Sequence, residues 1–202
     1  MTRHALGYRL AAAAAGAVTL SVIGASGMAL AADPYGDTDV DIAVDIAEID
    51  EPGVLAMTVA GGSASLTENG STVTNRRFTG QLPTVTVTDT RDPADIAAGA
   101  YWYVLGSITD FVGTTGQPSI LAADSFGWSP SLVAGDPGSV SAGDPVEPGE
   151  GFTDSEMLAM AFDSGAIASE GSWSATAGLE LLTSTTVAPG QYSATLTLSL
   201  FE

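Results

Sequence analysis

The chain has 202 residues, with five Lys or Arg against 24 Asp or Glu, a formal charge of −19, one histidine and no cysteine. That balance excludes a nucleic-acid footprint, which needs clustered basic side chains, and disfavours anionic lipid headgroups for the same reason. With no disulfide to staple it, the fold has to rest on a hydrophobic core, and a chain this long can build one.

Arg3, His4 and Arg9 make a positive start, Leu10 to Ile23 is an apolar run rich in alanine, and Ala29-Leu30-Ala31 supplies small residues at cleavage-determining positions. The pattern predicts a secretory signal peptide over 1–31, the run being short for a membrane span. An uncleaved N-terminal anchor is the alternative. The mature chain, 32–202, is expected to begin at Ala32 or Asp33 and to be secreted, extracellular or cell-wall associated. It keeps only Arg76, Arg77 and Arg91 as strong bases, so its formal charge is about −21. A surface this acidic favours solubility and can hold divalent cations loosely.

Asp33 to Asp50 alternates, with Val40, Ile42, Val44 and Ile46 on one face and Asp39, Asp41 and Asp45 on the other. Period two with β-branched residues predicts a half-buried strand. Further strands are expected at Val54–Ala60, Ser63–Thr67 and Val73–Phe78. Pro52-Gly53, Gly61-Gly62, Asn69-Gly70 and Gly80 punctuate them. Thr84–Thr88 puts Val85 and Val87 inward. Asp89 to Pro93 then turns the chain, with Asp89 and Arg91 as a structural pair.

From Ala100 the chain alternates Trp102, Val104, Gly106 and Ile108 against Tyr101, Tyr103, Leu105 and Ser107. One face must be core; the other lies under a loop or offers Tyr101 and Tyr103 to a partner. Residues 113–151 are rich in Gly, Pro, Ser and Asp and are expected to form a long mobile loop, with a loosely structured strand over Ile120–Val133. Thr153 to Glu156 fits a capping box ahead of Met157–Phe162; alternation there allows a short strand equally. Trp173, Ala175, Ala177, Leu179 and Leu181 share one strand face, as do Tyr192, Ala194, Leu196, Leu198 and Leu200. Eight to eleven short strands and no long helical period predict an all-β fold. The expected form is a single antiparallel β-sandwich domain, immunoglobulin-like or jelly-roll-like.

Val85 to Arg91 (VTVTDTR), Trp102-Tyr103-Val104, Ser107 to Phe111 (SITDF) and the closing Pro189 to Leu200 (PGQYSATLTLSL) together resemble the WxL-type surface domains of Gram-positive bacteria, in a divergent actinobacterial form. The resemblance covers about Phe78 to Glu202. It implies a non-catalytic surface protein that binds the cell wall non-covalently, with peptidoglycan as ligand, often beside other surface proteins. Two Trp-x-Leu motifs name the family. Here the first reads Trp102-Tyr103-Val104, and Leu198 replaces the second tryptophan in Leu198-Ser199-Leu200.

No catalytic, cofactor or metal residues are expected. His4 leaves with the signal peptide, and without cysteine neither nucleophilic triads nor zinc sets can be assembled. Asp37, Asp39 and Asp41 have a calcium-like spacing, but Ile42 stands where an EF-hand loop needs glycine. The ligand-binding candidates are Tyr101, Trp102 and Tyr103. The tyrosines suit a sugar ring, while Trp102 doubles as a core residue. The alternative function is a structural subunit of a cell-surface assembly with a protein partner.

Overall fold

The computed structural model describes residues 53–133, 138–152 and 154–202. The expected signal peptide over 1–31, the strand expected at Asp33–Asp50 and the triad Asp37, Asp39 and Asp41 lie outside the described residues. Twelve strands are present among those described: β1 (Leu55–Val59), β2 (Thr67–Glu68), β3 (Asn75–Gln81), β4 (Val85–Asp89), β5 (Tyr103–Ile108), β6 (Val112–Gly113), β7 (Phe126–Leu132), β8 (Val140–Ala142), β9 (Glu156–Ala161), β10 (Ser172–Ser184), β11 (Tyr192–Ser193) and β12 (Leu196–Phe201). Helical turns α1 (Ala122–Ser125) and α2 (Ser164–Ile167) are the only α-helical pieces among those residues. The fold is all-β and sandwich-like, its antiparallel sheets curling into a half-barrel.

β10 is the spine of the larger sheet. Its 13 residues alternate without a break, burying Trp173, Ala175, Ala177, Leu179 and Leu181 as the sequence predicts. β7 runs along one edge. Along the other, β4 pairs with Ser172–Ala175 and β3 with Gly178–Ser184, and the Leu82 N–H bonds Ala177 O at 2.9 Å between them. β3 and β4 are thus one strand line kinked at Leu82-Pro83, flanked further out by β2 and β1. The second sheet has the order β12-β5-β9-β8.

The core lies between the sheets. Trp102 packs its ring 5.5 Å from that of Trp173, and Trp128 meets Phe152 edge-on at 5.1 Å. A close approach at Gly106 makes this possible, since a Cβ there would stand 2.6 Å from Cη2 of Trp128.

The structure corrects the sequence in several places. Residues 113–151 are not one long loop. β7 is a paired strand, Ile120, Ala122, Phe126, Trp128 and Val140 are buried, and Trp128 and Val146 exchange both backbone hydrogen bonds at 2.9 Å. Gly127 and Pro130 hide this strand from a propensity reading. Gly127 is there because a Cβ would come within 2.4 Å of Val146 O, and an edge-lying strand tolerates proline. Ser63–Leu66 is not strand, and the short β2 begins only at Thr67. β3 runs on past Gly80 to Gln81. The open choice after residue 153 resolves to a strand, β9, because β5 and β8 both pair with it. The final run divides: β11 pairs with β6 and β12 with β5.

Candidate functional site

β5 sorts its side chains by period two. Val104 faces the core and is 1% exposed; Tyr103 and Leu105 are half-buried on the outer face. Just before β5, Trp102 is buried, whereas Tyr101 is 49% exposed. Trp102 is therefore removed from the ligand-binding candidates. Its ring is sealed between the sheets against Trp173, where no external polymer reaches it. Tyr101 and Tyr103 stay together, their rings stacked at 5.9 Å with 28° between planes.

The register adds a residue that sequence reasoning missed. Phe201 is paired with Tyr103, and their rings stack at 5.3 Å and 19°. The row Tyr101, Tyr103, Phe201 is a continuous aromatic strip on the outer face of the smaller sheet. Tyr103 is also opposite Met160 of β9. The one signal in the sequence was that Phe201 falls out of phase with the inward Leu196, Leu198 and Leu200.

The strip is tied down at Arg91. Asp89 is buried at the end of β4 and accepts from Arg91 Nε at 2.9 Å and Nη2 at 2.7 Å, the turn pair expected from the sequence. Arg91 also grips Glu202, the residue after Phe201. Its hydrogen bonds hold the Asp89 and Glu202 carboxyls below the usual carboxylate range and push its own pKa up. Arg76 pairs with Glu68 at 2.7 Å, and Arg77 pairs with Glu180. Every arginine of the described residues is thus paired with a carboxylate.

A second concavity lies away from the strip. It is a cleft of about 480 Å³ lined mostly by apolar side chains, including Met57, Val59, Leu66, Ile108, Leu196 and Leu198. No helix among the described residues is long and apolar enough to cross a membrane. Searches found no family model, no curated protein and no solved structure that matches this chain.

Proposed function

We propose that the chain is a secreted, non-catalytic, WxL-like surface protein that holds the cell wall non-covalently, with peptidoglycan as its polymer. The observation that carries this reading is the outward row Tyr101, Tyr103 and Phe201, stacked at 5.9 and 5.3 Å. Flat aromatic faces half in water match the apolar faces of sugar rings, and they order few rotatable bonds on binding. The charge supports the same choice. An acidic chain whose described arginines, Arg76, Arg77 and Arg91, are all paired has little to offer an anionic polymer except through bridging cations.

A second reading is favoured by Leu105, Met157 and Met160, half-buried beside the aromatic row. They widen it into an apolar patch that also suits a protein partner, as in a subunit of a surface assembly. Co-sedimentation of the mature chain with purified peptidoglycan, with and without calcium, separates the two. Sedimentation supports wall binding, and its absence in both conditions favours the assembly subunit. Intact mass of exported protein checks secretion, since a mature start at Ala32 or Asp33 is expected.

A further inference from the structure

Val85 and Val87 of β4 are sealed in the core. One strand further out, β1 sets Met57 opposite Val87 and Val59 opposite Val85, yet Met57 is only half-buried and Val59 is 41% exposed. In the smaller sheet Leu196 and Leu198 of β12 are likewise half-buried. All four line the cleft of about 480 Å³, whose buried lining is Leu82, Phe111, Phe126 and Leu179. None of the lining residues is ionisable, in a chain that carries 24 carboxylates. Ser63 and Thr195 supply the only polar side chains, and among the described residues neither hydroxyl makes a hydrogen bond.

Residues 61–64 border the cleft, are exposed, and make no hydrogen bond among the described residues. Gly61 and Gly62 open this segment, and the present conformation demands neither. Both have negative φ; a Cβ on Gly62 would meet nothing within 4 Å, and one on Gly61 would meet only Pro83, at 3.7 Å. Glycine loses more conformational entropy on ordering than any other residue. A glycine pair with no steric reason fits a segment that takes up a second conformation.

We propose that this cleft binds an uncharged, mostly apolar small molecule, and that residues 61–64 fold over it as a flap hinged at the glycine pair. The volume falls in the range of small-molecule sites, about 300–1,000 Å³. The charge-free lining selects the chemistry, since an ionised ligand would lose its hydration and find no counter-charge. The half-buried residues of β1 and β12 gain cover from an apolar body. The unpaired N–H groups of the flap and the two free hydroxyls can orient one polar end of it. This site is separate from the aromatic strip, which shares none of its lining residues.

The test titrates two fluorescent probes into the mature chain: neutral N-phenyl-1-naphthylamine, and anilinonaphthalene sulfonate, the same ring system with an anionic group. The neutral probe should saturate at one per chain and bind at least about tenfold more tightly than the sulfonate. Val59→Asp puts a charge in the cleft at a position exposed enough to keep it out of the core, and should weaken the neutral probe by about tenfold or more. Thr58→Asp puts the same charge on the other face of β1 and should leave binding unchanged. Gly61→Ala with Gly62→Ala, which the present conformation accommodates, should slow entry of the probe in stopped flow without lowering the Tm. Absence of saturable binding, equal affinity for the two probes, or equal loss in the two aspartate variants would overturn the ligand site. An unchanged entry rate in the alanine variant would overturn the flap.

Discussion

Arg91 and Glu202, 111 positions apart, meet in a two-pronged ion pair, Nη1 to Oε2 at 2.5 Å and Nη2 to Oε1 at 2.7 Å. The same guanidinium satisfies the buried Asp89. One side chain therefore joins the end of β4, in the larger sheet, to the residue after Phe201 in the smaller one. Arg91→Ala should cost about 3 kcal/mol, because it strands a buried carboxylate. Arg91→Lys should recover only part of that, since an ammonium lacks the planar fork. Urea unfolding at pH 7 measures both.

Acid should weaken the same clamp. The Asp89 and Glu202 carboxyls are held below their usual range by hydrogen bonds from Arg91. A depressed carboxylate contributes fully above its unfolded pKa, near 4, and the contribution is lost as pH falls from there through the lower folded value. The stability difference between the unsubstituted chain and Asp89→Asn with Glu202→Gln should be flat from about pH 7 to 5 and shrink below about 4. Taking the difference cancels the relief of general charge repulsion. Glu68, held down to about 2 by Arg76 and Ser71, is exposed and should add little in salt. A difference that grows on acidification contradicts this account.

The two faces around β5 should separate stability from binding. Trp102→Ala should cost about 3–5 kcal/mol, the range for truncating a buried aromatic residue. Tyr101→Ser with Tyr103→Ser should cost about 1 kcal/mol of lost stacking and abolish co-sedimentation with peptidoglycan. Phe201→Ser should weaken sedimentation on its own. If the chain sediments and the tyrosine pair proves neutral, the wall-binding reading stands on another face.

Gly106→Ala should destabilise the fold by about 1–3 kcal/mol through overpacking, because its methyl group would enter the space of the Trp128 ring. Near-ultraviolet circular dichroism should change with it. An unchanged spectrum would mean that the sheets separate locally without disturbing Trp128.

How much was legible depended on what each residue's environment demanded of it. The unbroken alternation of β10, the inward Val85 and Val87, and the opposition of Trp102 to Tyr101 and Tyr103 could be read directly, because side-chain period two is a local property of the backbone. So could the Asp89–Arg91 turn pair, whose partners are two residues apart. β7 could not. Gly127 and Pro130 argue locally for a loop, and only pairing with β10 makes them strand.

Sequence alone determined the all-β class, the acidic balance and which faces of β4, β5 and β10 are apolar, because composition and alternation are sums over near neighbours. Tertiary structure decided the rest. Only it placed Phe201 against Tyr103, resolved Glu156–Ala161 as strand, and brought Glu202 to Arg91. Those outcomes rest on register between strands distant in the chain. Register is set by how whole sheets bury their apolar faces together, a collective choice that no single segment encodes.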